Sequence, residues 1–533
     1  MTSHVAYREV EWRPHYNPWA IALTVTLATF MEVLDTSIAN VALPHIAGSL
    51  GASSEEATWV LTSYLVSSAI VLPISGWLSN RIGRKRFYMG CVALFTICSF
   101  LCGIAPSLPL LIFARILQGI GGGGLAPSEQ AILADTFSVE KRGQAFALYG
   151  MAVVVAPAIG PTLGGWITDN FNWHWIFFIN IPIGFISLWL SNKMVEDPPQ
   201  IKARTKVKSP IDFTGLALVA GGVGCLEFFL DKGQEKDWFG DPMITAIACT
   251  AAFLLIFFVI WEWRHPDPIV DLRLLKNRNF GTAVFLQLIL GMVLFGSTVL
   301  IPQYLQGLLG YTAERAGMVL SPAGFVMMAM MAVAGKSLSW RIDPRLTVSL
   351  AYIATAIGIF NLTRLSLDTS YGTVTLWRML QVIGLPFIFI PISTLNYVGV
   401  PRSKSNQISS LSNFARNLGG SVGTALLTTF LARTAQTHQQ SLGANIHQGS
   451  AATSIYLGQV ATVLREHGMS AVQSMQMATG YAYQQMLRQA SMLAYKNAFA
   501  LLAGLIFCLA PLPFLMRLPS KAEKPLPEDA VAH

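Results

Sequence analysis

Apolar stretches close to 20 residues long recur along almost the whole chain, and they limit its fold more than any motif does. Starting near residues 18, 58, 87, 108, 145, 175, 212, 242, 280, 315, 346, 374, 408 and 496, they give fourteen segments, each long enough for an α-helix to cross a hydrocarbon core. The predicted fold class is an all-α integral membrane protein. Composition agrees: 53% of the 533 residues are hydrophobic and 12% are charged, against roughly 25% charged in soluble domains. No cleavable signal peptide is evident, since the polar, aromatic stretch Met1 to Pro18 leads into a run longer than a signal h-region.

The formal net charge of +8 raises the idea of nucleic-acid binding, but the basic residues sit in short clusters between apolar runs. Arg81, Arg84, Lys85, Arg86, Lys202, Arg204, Lys206, Lys208, Arg273, Lys276 and Arg278 follow even-numbered segments, whereas the other loops hold Lys232, Lys236, Arg315 and Arg364. This is the distribution that fixes membrane topology. It excludes a nucleic-acid role and predicts that even loops and both termini are cytoplasmic. All six cysteines fall in apolar runs, so neither a disulfide framework nor a metal cluster is indicated, and Cys98 and Cys102 read as packing residues. No cofactor motif is present.

The first segment, Trp19 to Ala39, carries Glu32 and Asp35. An ionised carboxylate at bilayer depth costs about 2.5–3.5 kcal/mol, so a span with two should face a polar interior. Three-residue spacing sets both on one helical face, and two acids that close can hold a proton between them. The plainer alternative has Glu32 snorkelling or bonding a neighbouring helix and Asp35 capping the helix end.

The fourth segment holds Arg115 and Gln118, followed by Gly119 and Gly121 to Gly124. No Gly-Lys-Ser/Thr follows the glycines, so nucleotide binding is rejected, and close helix approach or bending is the reading instead. Counting rise per residue places Asp35 and Arg115 at matching depth, which predicts a proton-linked pair. In the fifth segment Pro157, Gly160, Pro161, Gly164 and Gly165 should kink the helix and admit a neighbour to its backbone. Trp377, Arg378, Gln381 and Gly384 echo the fourth segment, and Gly335 to Arg345 echoes the basic loop Gly76 to Arg86. These echoes suggest two related halves with a site between them. Glu227 is a further intramembrane acid near a loop. Lys193 to Ile211 reads as a linker, Arg433 to Tyr495 as a long outer loop forming a small hairpin, and the proline-bearing tail after Arg517 as disordered.

Taken together, these residues resemble the major facilitator superfamily, and within it the fourteen-span drug:proton antiporters of the EmrB/QacA type. Gly76 to Arg86 is similar to the superfamily's cytoplasmic loop signature, Leu111 to Gly119 to its fourth-helix arginine motif, and Gly160-Pro161 with Gly164-Gly165 to its antiporter motif. Leu34 to Pro44 and Asn172 to Pro182 resemble subfamily signatures. The resemblance implies two six-helix bundles with two extra central spans, the seventh and eighth. The expected divisions are an N-terminal segment 1–17, a bundle 18–195, a linker 196–211, the inserted spans 212–263, a bundle 264–516 with the outer loop 433–495, and a tail 517–533. It also implies gating by Gly76, Arg81, Gly83, Arg84, Lys85 and the fifth-helix prolines and glycines. A substrate path past Glu32, Asp35, Gln118 and Glu227 follows, as does, in double-membraned bacteria, a periplasmic adaptor (an EmrA-like membrane fusion protein) with an outer-membrane duct. One departure stands out: the loop signature usually has an acid where this chain has Asn80.

The function expected is therefore export of drugs and other small amphipathic hydrophobic compounds across the inner membrane in exchange for protons, not enzymatic catalysis. About 100 mV of membrane potential supplies roughly 2.3 kcal/mol per charge moved, near a 50-fold gradient. Alternatives are a dedicated exporter of one compound, such as a fatty acid or siderophore, proton-driven uptake, and a non-transporting membrane sensor or channel. No nucleotide-binding domain is present to drive an ATP pump.

Overall fold

The computed structural model describes residues 14–199, 201–202, 211–337, 342–398, 400–401, 404–444, 446 and 450–517, and every regular element among them is helical. The N-terminal half comprises α1 (Pro18–Leu50), α2 (Ser54–Ile82), α3 (Arg84–Gly103), α4 (Leu108–Gly122), α5 (Leu125–Thr136), α6 (Val139–Asn170), α7 (Trp175–Phe178) and α8 (Asn180–Met194). Two inserted helices follow, α9 (Phe213–Lys232) and α10 (Pro242–Arg264). The C-terminal half comprises α11 (Arg278–Gly307), α12 (Ala313–Ser337), α13 (Pro344–Leu362), α14 (Tyr371–Val382), α15 (Leu385–Leu395), α16 (Ser405–Ala444), α17 (Ala451–Glu466) and α18 (Ala471–Leu509). Most of the terminal segments 1–17 and 517–533 and of the linker 196–211, with Arg204, Lys206 and Lys208, lies outside the described residues, as do positions 338–341 of the basic-loop echo.

Counting α4 with α5, α7 with α8, and α14 with α15 as single crossings, 13 spans among the described residues are long and apolar enough for a bilayer. The fourteenth is α16. Its first turns are polar because they face protein rather than lipid: Ser405, Asn406, Gln407, Ser409, Ser410, Ser412 and Asn413 are all buried and most find partners across the molecule. Polar side chains at this depth are stable only when so satisfied.

Two boundaries differ from expectation. The first helix does not stop at Ala39 but runs to Leu50 with Pro44 inside it, ending where Gly51 turns left-handed at φ +63°. Nothing between Ala39 and Gly51 breaks the helix, since a proline within a long span is held by its neighbours. α1 and α16 accordingly take up His45 and His438, residues that the apolar segments had left outside; both lie toward helix ends away from the site. The region 433–495 is largely helical, the stretch Ser470 to Ala494 falling almost wholly within α18: α16 and α18 continue beyond their apolar parts and α17 lies between them.

The two halves meet tightly at the end that carries the basic loop, called here the basic end. Ser409 Oγ donates to the Pro127 carbonyl at 2.5 Å, Ser410 Oγ to the Leu72 carbonyl at 2.6 Å, and Asn413 Nδ2 to Gln130 Oε1 at 2.9 Å. Phe146 stacks on Tyr397 and Tyr149 on Phe389, each with ring centroids 6.0 Å apart. A Cβ at Gly76 would lie 2.8 Å from the Asn406 carbonyl, so only glycine lets α2 approach α16 this closely.

Candidate functional site

Asp35 sits on α1 with its carboxylate turned into the N-terminal half, 1% exposed. Arg115 Nη1 of α4 donates to its Oδ2 at 2.5 Å, Asn180 Nδ2 of α8 to its Oδ1 at 2.6 Å and Gln118 Nε2 to the same oxygen at 3.1 Å. Gln118 also accepts from Arg115 at 2.7 Å and donates to Ser99 Oγ of α3 at 2.8 Å, while Arg115 Nε donates to the Val60 carbonyl of α2 at 3.0 Å. The guanidinium lies over the Tyr64 ring at 4.3 Å and near Phe177 at 5.7 Å. Six helices, α7 among them through Phe177, thus converge on one ion pair. Arg115, Gln118, Asn180 and Ser99 are all fully buried, so the pair works in a low-dielectric surrounding where charge-assisted bonds are strong and loss of either partner is costly.

The spacing of the small and polar residues explains why the helices meet here. A Cβ at Gly121 would lie 2.8 Å from the Phe95 amide nitrogen and one at Gly123 3.0 Å from Val71 Cβ, so the glycine run draws α4 against α3 and α2 and ends the helix at Gly122 before α5 resumes. On α6, a Cβ at Gly160 would overlap Ser37 and one at Gly164 would sit 3.0 Å from Ile38 Cγ2. Those two glycines pack α6 on α1 directly beside Asp35. Gly165 has open space at the Cβ position and serves no such approach, while Pro157 and Pro161 lie within α6.

Glu32 lies one turn from Asp35 toward the basic end, half-buried, with the Tyr64 hydroxyl donating to its Oε1 at 3.5 Å. It touches the network through Tyr64 and bonds to neither Asp35 nor Arg115. Glu227 is elsewhere: on α9 it is buried and faces Ser421 of α16, so the structure does not bring it to Asp35. Sequence reasoning missed Asn180, Ser99 and Tyr64, which complete the cage. An asparagine inside the apolar run NWHWIFFINIP was the available signal for the first; the serine and tyrosine carry none.

In the basic loop, Gly83 adopts φ +100°, a conformation glycine supplies without strain, and turns α2 into α3. Arg84 is 1% exposed. It pairs with Asp135 at 2.7 Å and donates across the halves to Asn406 Oδ1 at 2.6 Å and Ser405 Oγ at 3.0 Å. Asn406 Nδ2 in turn donates to Asn80 Oδ1 at 2.7 Å. The neutral Asn80 therefore takes part in a side-chain amide pair instead of an ion pair. Lys85 Nζ donates to the Asn192 carbonyl at 2.5 Å, and Arg81 lies over Trp77 at 5.3 Å. Both of these contacts lie within the N-terminal half.

The C-terminal half holds a related arrangement. Arg378 Nη1 donates to Gln381 Oε1 at 2.8 Å and to Ser297 Oγ of α11 at 3.1 Å, and among the described residues no carboxylate pairs with it. Also among the described residues, no group of three or more His, Cys, Asp or Glu side chains could hold a metal ion.

Residues 25–424 match the family model described as Major Facilitator Superfamily. The chain is 41% identical over 427 residues to the multidrug export protein EmrB of Haemophilus influenzae, covering 80% of this chain and 83% of that one. It is 40% identical over 426 residues to the fatty acid resistance protein FarB of Neisseria gonorrhoeae, with the same coverage. Among solved structures, the human organic anion transporter MFSD10 superposes with a TM-score of 0.57 at 14% identity, covering 92% of this chain and 100% of that one, which bears on the fold alone. With two halves of six spans around an inserted pair, a buried arginine motif repeated in each half and a sequence match across most of its length, this multi-pass membrane protein belongs to the Major Facilitator Superfamily.

Proposed function

We propose that the protein exports drugs and other amphipathic hydrophobic compounds across the inner membrane in exchange for protons, with Asp35 and Arg115 as the proton-linked pair. The observation that carries this reading is the buried Asp35 carboxylate, held by Arg115, Gln118 and Asn180 at the centre of the N-terminal half. A carboxylate that loses its counter-ion at this depth is too costly to leave charged and takes up a proton. Rocking that parts α1 from α4 would therefore exchange an ion pair for a protonated acid, and substrate would compete with the proton for the same group. The multidrug export relatives point to the substrate class.

With the basic end cytoplasmic, together with both termini, the contacts of Arg84, Ser409 and Asn413 close the cytoplasmic side, and Gly76, Gly83 and the α6 prolines and glycines are the parts that move when it opens. The bundles would span 18–195 and 264–516, with 212–263 inserted between them. The extension formed by α16, α17 and α18 would then lie outside and offer a surface to a periplasmic adaptor and its outer-membrane channel. The FarB relative favours one second reading, a dedicated exporter of fatty acids.

The test is dye and drug efflux from membrane vesicles under an imposed pH gradient. Asp35→Asn should abolish uphill efflux while leaving the protein folded, because the amide mimics the protonated acid. Wild-type efflux by Asp35→Asn with substrate-dependent proton release would make Asp35 structural. Reporter fusions after Arg86 and Ser450 should read inside and outside respectively, and the reverse would overturn the topology.

A further inference from the structure

Glu129 lies on α5, on the basic side of the Asp35 network, and is 0% exposed. One carboxyl oxygen accepts from Thr26 Oγ1 of α1 at 2.6 Å. The other has no partner. An ionised carboxylate in a dry site takes several donors or a counter-ion; this one has the Thr26 hydroxyl, the Thr29 hydroxyl facing it and, among the described residues, no ion pair, so it can exchange a proton when water arrives.

The residues leading to it form a row along α1. Asp35, Glu32, Thr29 and Thr26 follow one another at three-residue intervals, each step about 4.5 Å along the axis, winding round the helix from the face that meets Arg115 to the face that meets Glu129. Thr29 is fully buried, its hydroxyl has no hydrogen-bond partner, and it faces the Glu129 carboxyl. Two acids, two hydroxyls and a third acid thus run from the centre of the membrane toward the basic end.

The residues flanking Glu129 are the ones that seal that end. The carbonyl of Pro127 accepts from Ser409 and the side chain of Gln130 accepts from Asn413, both on α16. Any motion that opens the basic end breaks the contacts on either side of Glu129 and wets it. The titratable and charged groups facing it are Glu32 from α1, Tyr88 from α3 and Tyr149 from α6. From α16, Arg416 faces Glu32 and donates to the Tyr149 hydroxyl at 2.9 Å.

We propose that Glu129 is the release station of a proton path that runs from Asp35 through Glu32, Thr29 and Thr26 to the basic end, gated by the Ser409 and Asn413 contacts beside it. This rests on the antiport reading above. The proton leaves Glu129 for water when the seal opens; Thr26 then gives its hydroxyl proton to Glu129 and takes one from Thr29, Thr29 takes one from Glu32, and Glu32 is resupplied from Asp35, so each relay group ends with the proton count it began with.

The test uses full-length protein in proteoliposomes with ethidium as the probe. Two rates are compared: ethidium transport driven by a pH gradient, and ethidium counterflow at equal pH, which needs no net proton movement. Glu129→Gln keeps the size of the side chain and an oxygen for Thr26, so it should slow gradient-driven transport roughly 100-fold while counterflow and ethidium binding stay at wild-type level. Thr29→Val should lower the driven rate by a smaller factor, and Glu129→Asp should recover part of it. A wild-type driven rate in Glu129→Gln, or equal loss of counterflow and driven transport, would overturn the proposal. Wild-type protein that shows counterflow but ignores the gradient would instead remove proton antiport itself.

Discussion

The N-terminal and C-terminal halves both carry an arginine and a glutamine three residues apart, Arg115 with Gln118 and Arg378 with Gln381, and in both the glutamine oxygen accepts from the guanidinium. They differ in what the first helix of the half presents. On α1 it is Asp35, at 2.5 Å; on α11 it is Ser297, at 3.1 Å. The basic loops diverge in the same way. Arg84 crosses to the other half and is buried, whereas Arg345 turns back to Asp343 at 2.7 Å beside the start of its own helix. The fold therefore does not need the acid to hold the arginine. The N-terminal half has a charge that can be neutralised by one proton, and the C-terminal half keeps the same frame without it.

The comparison can be broken most severely at the arginines. Arg115→Ala should destabilise the protein by about 3–5 kcal/mol, because it leaves Asp35 buried without a counter-ion; Arg378→Met, which removes a charge with no counter-ion among the described residues, should leave the melting temperature in detergent unchanged or raise it. Equal destabilisation by both would show that Arg378 has a counter-charge of its own. Next in size is Ser297→Asp, which gives the C-terminal half the pair it lacks. It should raise stability by about 1–3 kcal/mol if the new carboxylate reaches Arg378, and a fall in melting temperature would mean that the α11 site is too dry to accept an acid even beside a cation.

Glu32→Gln should be milder than any change at Asp35, because Glu32 bonds to Tyr64 and not to the ion pair itself. Its expected outcome is altered preference for cationic over neutral dyes, measured as relative efflux rates, with gradient-driven transport slowed but not lost because Glu32 also stands in the row that feeds Glu129. Complete loss of gradient-driven transport would move Glu32 into the pair. The smallest effect belongs to the second basic loop: Arg345→Ala should cost less than about 1 kcal/mol, since its partner is part-exposed and solvent screens the pair. The Arg345 hydrogen bond holds the Asp343 carboxyl below the usual carboxylate range. The pair's contribution is therefore complete above the unfolded value near ~3.9 and fades only as pH falls through the lower folded value. Between pH 5 and 8 the difference between wild type and Arg345→Ala should stay flat, and a slope there would implicate another group.

The crossings were legible because lipid demands long apolar runs, and the Asp35 and Arg115 contact followed from two charges at equal depth that had to find each other. The end of α1 was not, because helix continuation past Ala39 depends on the absence of a breaker rather than on apolarity, and Gly51 lies beyond the segment a hydropathy reading marks. Glu227 looked equivalent to Glu32 in sequence, yet α9 carries it to α16, and which helices an inserted pair touches is not written in its own residues. Asn180 and Ser99 escaped notice because a neutral side chain in an apolar run has many uses. Glu129 was not legible as a site, since the helix break at Gly122 moves it from the end of an apolar run to the middle of a polar seam.

α16 runs for 40 residues without a break, a rod of about 60 Å with its first turns clamped in the seam and its last turn carrying the extension toward α17. Mechanically it is a lever whose short arm sits at the seal. A tilt of about 10° at the clamp would sweep the far tip through roughly 10 Å over that length, so the extension would register the state of the distant seal as a displacement large enough for spin or fluorescent labels to follow.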